Sequence, residues 1–318
     1  MRRVLVTMGD PAGIGPEVVL RACSTRYDDA EVVAVGSKRV FARVADKLSL
    51  TLPSIMDTDA GDEDADSIEP GVMSAAGARI QKAAFARAIE EVAAGRADAV
   101  VTAPWTKSLM PLIGEASVGH TEILAERFDR PQHVMMLAGP RLRVSLVTTH
   151  TSIRNVPDKV TRERIVEVTT TTIEGLKSRF GVDRPRIAVL GLNPHAGERG
   201  EMGREEIDTI TPAIDALKSR FEGQAEISGP YPADTLFARY ASGGQPFDAV
   251  VCMYHDQGLI PLKALHFGEA INITLGLPIL RTSVDHGSAY DIAWQGTADA
   301  GSMVYAIQSA LDMAKRSQ

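Results

Sequence analysis

The stretch Arg141-Leu142-Arg143-Val144-Ser145-Leu146-Val147-Thr148-Thr149 is a short β-branched run that ends on His150. Arg186-Ile187-Ala188-Val189-Leu190-Gly191-Leu192-Asn193-Pro194 runs in the same way into His195, and Asp248-Ala249-Val250-Val251-Cys252-Met253-Tyr254 into His255. Short apolar runs of this kind read as buried strands. In an α/β protein, ligands bind beyond the carboxyl ends of parallel strands. Three imidazoles delivered there by three strands suit a divalent metal with positions left open for substrate. The plainer reading is that each is an ordinary hydrogen-bonded histidine at a strand end.

Outward from these stretches, further strands are predicted at 2–8, 31–36, 97–102 and 133–138, alongside 143–149, 186–192 and 248–254. Helical patterns fall between them at 16–24, 38–48, 74–94, 158–180 and 203–221, with a closing helix from Asp299 to Gln318. Thr161 is the predicted start of the fourth of these helices. The alternation implies βαβ units, a mostly parallel sheet and an α/β class. At 318 residues, two domains are expected. The acidic segment Asp57 to Glu69 lacks apolar periodicity and reads as a solvated loop; its glycine is misplaced for a calcium-binding loop.

Composition narrows the class. Apolar residues make up 44% and charged residues 24%, ordinary for a globular protein. A net charge of −7 argues against a nucleic-acid partner. Cys23 and Cys252 are far apart and in no CxxC spacing, as in a reduced, cytoplasmic protein. The N-terminal apolar run meets Asp10 before a signal-peptide core forms. No window approaches the roughly 20 apolar residues of a membrane span.

Four other groups could carry chemistry. Asn193, Asp234 and Asp256 lie near the histidines and could orient an imidazole or complete a metal shell. The turn Gly9-Asp10-Pro11-Ala12-Gly13-Ile14-Gly15-Pro16-Glu17 follows the first strand and opens a helix, where N–H groups can meet an anion. It is not GxGxxG, and it reads equally as a tight structural turn. Lys107, Lys263 and Arg281, the last two flanking Asn272-Ile273-Thr274-Leu275-Gly276, suit a phosphate or carboxylate. Asp285-His286-Gly287-Ser288-Ala289-Tyr290-Asp291-Ile292-Ala293 is a Gly/Ser turn fit for the polar edge of a nucleotide. His133 and His266 read as structural.

These segments together resemble the 4-hydroxythreonine-4-phosphate dehydrogenase family over nearly the whole chain. The pieces are GDPAGIGPE at the start, GHTE at 119–122, TTH at 148–150, GLNPHAGE at 191–198, GPYPADTLF at 229–237, YHDQG at 254–258, NITLGLP at 272–278 and RTSVDHGSA at 281–289. The resemblance implies two α/β/α domains with a central cleft, similar to isocitrate and isopropylmalate dehydrogenases. The first would be built from 1–125 plus 279–318, the second from 126–278 with the metal histidines and the dimer interface. It implies a homodimer with a shared active site and a divalent metal (Zn, Mg, Mn or Co) on His150, His195 and His255. Substrate contacts carry over onto His120, Thr121, Lys263, Asn272 and Arg281. NAD, or NADP, would lie along Asp10, Gly13, His286, Gly287, Ser288, Ala289 and Asp291.

The implied reaction oxidises a secondary alcohol β to a carboxylate, after which the β-keto acid loses carbon dioxide. Asp234, Asp256 and a metal-bound water are all open as the acceptor of the hydroxyl proton, and Lys263 is a further catalytic candidate. For 4-hydroxythreonine 4-phosphate the product is 3-amino-2-oxopropyl phosphate, on the way to pyridoxal phosphate. Departures from the family pattern sit beside the site: Trp105-Thr106-Lys107 replaces an Asn-Lys pair, the segment before GHTE lacks its usual aromatic, and Thr-Ser-Ile-Arg-Asn follows TTH. Related branches oxidise 4-phospho-D-threonate, 4-phospho-D-erythronate or aromatic dihydrodiols. A metal-dependent binding protein without chemistry and a phosphate acyltransferase are the readings outside this class.

Overall fold

The computed structural model describes residues 1–58 and 62–316. In chain order its strands are β1 (Arg2–Thr7), β2 (Ala30–Gly36), β3 (Ile55–Asp57), β4 (Ala99–Thr102), β5 (Val134–Ala138), β6 (Arg143–Leu146), β7 (Arg186–Leu190), β8 (Glu226–Tyr231), β9 (Ala249–Cys252), β10 (Ile271–Leu275) and β11 (Arg281–Val284). The chain divides into two compact units, Met1–Asp129 with Leu277–Arg316, and Arg130–Gly276.

In the first unit the strand order is β3-β2-β1-β4-β11, every pair parallel. Parallel strands are covered on both faces, which is why β1 and β4 are continuous apolar runs rather than alternating ones. One core cluster joins Leu5, Val33 and Val35 from the strands to Phe85, Ala88 and Ile89 of the helix Ala75–Ala93. That helix begins where Ser74 caps the Gly77 N–H at 3.0 Å. The closing helix, Gly301–Arg316, packs Met303, Ala306, Ile307 and Ala310 inward.

In the second unit the order is β10-β5-β6-β9-β7-β8. β10, β5 and β6 pair antiparallel, and β6, β9, β7 and β8 parallel. Its core gathers Val144, Leu146, Ala188, Leu190, Val250 and Cys252 with Leu236, Tyr240 and Leu262 from helices. Thr161 caps the helix Arg162–Phe180 by accepting from the Arg164 N–H at 3.2 Å. Gly181, at φ 67°, ends it.

Several elements differ from expectation. The acidic segment is not a plain loop: Asp62–Asp66 is helical, and Asp64 and Asp66 pair with Arg79 and Arg39. Residues 59–61 of that reading, and 317–318 of the closing helix, lie outside the described residues. The predicted helix 203–221 resolves into a π-helical turn, Glu206–Ile210, and the α-helix Thr211–Arg220. β3, β8, β10 and β11 were not predicted, nor were the helices His120–Arg127, Ala233–Ala241 and His255–His266.

Candidate active site

In the first unit the helix Ala75–Ala93, the end of β4 and the start of β11 converge on His120. The imidazole is 7% exposed and lies between Phe85 and Trp105, with ring centroids at 4.5 and 4.8 Å. The Trp105 indole N–H donates to the Val118 carbonyl at 3.0 Å and so holds the segment that leads into His120. Arg281, 3% exposed, reaches the Thr102 hydroxyl from Nε at 3.2 Å and Nη2 at 2.8 Å. Its Nη2 also lies 3.3 Å from His120 Nδ1.

A guanidinium can only donate, so Nδ1 accepts and the imidazole proton sits on Nε2. Burial, reinforced by the charges of Arg281 and Lys107, holds the His120 pKa well below its ordinary value. Burial lowers Arg281 to about 10, which leaves it charged at neutral pH. The result is a fixed cation beside a neutral N–H donor. His120 Nε2 is buried without a hydrogen-bond partner, the state expected of a donor that awaits a ligand. Thr121 follows on the same helix, half-buried. Lys107 pairs with Glu122 at 3.1 Å, and Glu122 caps the Gly119 N–H at 3.0 Å.

The glycine turn of the same unit is a scaffold. Asp10, Ala12, Gly13 and Ile14 all place their N–H groups on acceptors within the chain: Pro104 O, Asp10 Oδ1, Asp10 O and Ser288 O. A Cβ on Gly13 would stand 2.6 Å from Ser288 O, so only glycine permits this approach. Tyr290 donates to Asp10 Oδ2, and Thr106 bonds Ser288 at 2.7 Å. The turn thus carries 286–291 on its back. There His286 Nε2 is buried without a partner, Gly287 has open space where a side chain would begin, and Asp291 is exposed. Ala289 takes a left-handed φ of 40°. The free imidazole nitrogen and the open glycine fit a nucleotide.

In the second unit the histidines stand beyond the strand ends. His150 and His255 come together, with ring centroids 5.9 Å apart, and line one cavity of about 300 Å³ with Thr149, Tyr254 and Asp256. His255 opens the helix His255–His266. Its Nδ1 meets Asp256 Oδ1 at 2.7 Å, which leaves Nε2 as the outward nitrogen, the usual support for a metal-ligating imidazole. His195 is elsewhere, its side chain 64% exposed. Among the described residues no group of three or more His, Cys, Asp or Glu is arranged to hold a metal ion. The paired imidazoles fit a divalent cation; the trio is not assembled within one chain.

His195 lies in a left-handed turn: His195, Ala196, Gly197, Glu198 and Arg199 all have φ between 42° and 80°. That conformation costs on the order of 1–2 kcal/mol for each residue other than glycine, and the neighbouring structure must hold it. Asn193, expected to orient an imidazole, donates instead to Glu205 and Glu206 at 2.6 and 3.0 Å. Asp234 is exposed in the first turn of Ala233–Ala241. Lys263 is exposed on His255–His266, and Asn272 lies on β10 with its Oδ1 buried and unpartnered. His266 is buried against Gly139, the structural place expected of it.

Sequence reasoning missed Thr102, Phe85, Glu206 and Gln257. Thr102 was findable, since it ends a strand read correctly; the others declare themselves only through contacts.

Parallel strands with histidines, a buried arginine and polar turns beyond them define an α/β protein built to hold a small ligand. The family described as pyridoxal phosphate biosynthetic protein PdxA matches residues 28–310. A 4-hydroxythreonine-4-phosphate dehydrogenase of Desulfosudis oleivorans is 45% identical over 330 residues, covering 97% of this chain and 95% of the relative. The crystal structure of the enzyme so named from Klebsiella pneumoniae superposes with a TM-score of 0.86 at 38% identity, covering 99% and 100% of the two chains. A terephthalate 1,2-cis-dihydrodiol dehydrogenase from Burkholderia xenovorans is more distant, with a TM-score of 0.68 at 28% identity and 98% of each chain covered. The chain belongs to the PdxA family. No helix among the described residues is long and apolar enough to cross a membrane.

Proposed function

We propose that the chain is an NAD-dependent dehydrogenase that converts 4-hydroxythreonine 4-phosphate to 3-amino-2-oxopropyl phosphate and carbon dioxide. The observation that carries this reading is the buried Arg281–His120 pair in a chain of this family. A fixed cation beside a neutral N–H donor suits the phosphorylated or carboxylate end of such a substrate. Thr121, Lys263 and Asn272 complete the proposed substrate contacts, and Asn272 Oδ1 awaits a donor.

The reaction removes a hydride from the alcohol carbon, to nicotinamide, and a proton from its oxygen. The carbon–carboxylate bond then breaks and its electron pair moves toward the new carbonyl. A divalent cation held by His150, His195 and His255 would supply Lewis acidity toward the alcohol and carbonyl oxygens. Asp256 orients His255, which leaves Asp234 and Lys263 for the proton transfer. Asp10 and Gly13 hold up the nucleotide segment 286–291, and the absence of GxGxxG agrees with NAD bound in another manner.

The exposed apolar side chains Ile153, Met202, Ile207, Ile260 and Phe267 belong to the unit that carries the three histidines. We infer that a second copy covers them and that the metal ligands are drawn from both copies of a homodimer.

Purified protein with NAD and Zn²⁺, Mg²⁺, Mn²⁺ or Co²⁺ is expected to produce NADH and carbon dioxide from the aminated four-carbon phosphate, and to stop on chelation. A second reading takes 4-phospho-D-threonate or 4-phospho-D-erythronate, with a hydroxyl for the amine. Trp105, packed on His120 where the family pattern has an Asn-Lys pair, favours keeping it. Turnover of a hydroxylated acid alone would move the assignment there. Ligand binding with no absorbance at the NADH band would leave a binding protein, and silence with all three acids would end the dehydrogenase reading.

A further inference from the structure

The left-handed turn that bears His195 folds around a carboxylate that the proposed chemistry does not use. Glu206 is 3% exposed. Its Oε1 accepts from the backbone N–H groups of Leu192 and Asn193 at 2.7 and 2.8 Å, and its Oε2 from the Asn193 side-chain amide at 3.0 Å. A Cβ on Gly197, where φ is 80°, would stand 2.5 Å from Oε2, so the turn closes directly over this group. The entry to the loop is tied as well: Gln257 donates to Gly191 O and accepts from the Met253 N–H, both at 2.7 Å.

We propose that Glu206 is a positioning residue: its buried carboxylate is the template on which the turn 195–199 folds, and through that turn it fixes His195 for a divalent cation. The proposal rests on the reading of His195 as a metal ligand. The physical argument has three parts. A carboxylate taken out of water must be repaid by N–H donors, and the donors here are neutral groups of the loop itself. Burial of Glu206 and folding of the loop are therefore one event. The left-handed residues His195, Ala196, Glu198 and Arg199 are strained, and strain of this kind persists only where surrounding structure over-determines it. The strained residues include the one whose imidazole stands exposed for an external ligand.

The test uses the full chain, stripped of metal, with Co²⁺ as the probe. Binding is followed by titration and by the visible absorption of the bound ion, and amide hydrogen exchange is measured over 193–200 without metal. Glu206→Ala is expected to speed exchange in the turn and to weaken Co²⁺ about 10- to 100-fold, the scale for loss of a residue that orients a ligand. Glu206→Gln keeps an oxygen for the two backbone donors and is expected to stay within about threefold of the parent, a rescue on that same scale. Gly197→Ala, which displaces the turn and leaves the carboxylate in place, is expected to behave like Glu206→Ala and decides the matter if that variant does not fold. Parent-like exchange and parent-like Co²⁺ affinity in Gly197→Ala and Glu206→Ala would overturn the template. His195→Ala is the separate control. If it binds Co²⁺ as the parent does while Glu206→Ala still frees the turn, the ligand reading fails and the link from Glu206 to the metal fails with it.

Discussion

His120 and His195 carry the same imidazole, yet the chain treats them in opposite ways. His120 is enclosed by Phe85, Trp105 and Arg281 of its own unit, and its charge and tautomer follow from packing. His195, like His150, stands exposed, whereas His255 has the Asp256 carboxylate at 2.7 Å from its Nδ1. A ligand-binding group can therefore be prepared by burial, which sets its protonation, or by a strained backbone, which sets its position and leaves its valence to an outside partner. The first should respond to changes in packing and charge, the second to changes that loosen a loop.

The largest test of this contrast is Arg281. Arg281→Lys keeps a charge but loses the fork that spans Thr102 and His120. Since removing one member of a buried, charged hydrogen-bonded pair typically costs 2–5 kcal/mol, kcat/KM is expected to fall roughly 100- to 1000-fold. Steady-state rates within threefold of the parent would show that the buried pair is only structural. Asp256→Asn addresses the other side. Asp256 is exposed, so thermal stability should stay put while affinity for Zn²⁺ or Co²⁺, measured by titration, weakens about 10- to 100-fold. A drop in stability without a change in metal affinity would erase the distinction.

How far the sequence foretold this follows the same line. The Val-rich cores of β1, β2, β4, β6, β7 and β9 were legible because strands covered on both faces are uninterrupted apolar runs. β10 and β11 were hidden: Asn272 and Thr274 break one run and Arg281 opens the other, and a polar residue gives no sign in the sequence that it lies within a strand. The short helix from His120 lacks a Ser, Thr or Asp cap, and its N-terminus is closed by Glu122 on the Gly119 N–H. The acidic segment read as loop because its charges, taken without Arg39 and Arg79, have no reason to order. The sequence groups His150, His195 and His255, and the structure brings 150 and 255 together within one chain; the left-handed turn at 195 was not legible, since residues other than glycine give no local sign of that conformation.

Trp105 sharpens the account of how His120 is held. Its ring packs on both Phe85 and His120, and its indole N–H closes on Val118. Trp105→Leu keeps an apolar wall but removes two aromatic contacts worth about 0.5–1.5 kcal/mol each and a hydrogen bond worth about 1 kcal/mol. A loss of roughly 2 kcal/mol in urea unfolding is expected, with KM rising more than kcat falls because the change displaces His120, the proposed binding group. Undisturbed KM would mean that Arg281 alone positions the imidazole.

The smallest expected effect is also the most specific to burial. The His120 pKa is held well below the ordinary histidine value by burial first, and then by Arg281 and Lys107. In the unfolded chain the same group titrates near 6.5. Below that pH the unfolded state binds a proton that the folded state refuses, so stability is full above about 6.5 and declines as the pH falls toward the folded pKa. One such group contributes a slope of at most about 1.4 kcal/mol per pH unit. His266 is lowered too, by burial and then Arg141, so the comparison must be with His120→Gln rather than with the parent alone. Urea unfolding at pH 7.5 and 5.5 should show the parent losing about 1 kcal/mol more than the variant over that interval. Equal losses would mean that His120 accepts its proton in the fold, and that packing in this unit fixes position without fixing charge.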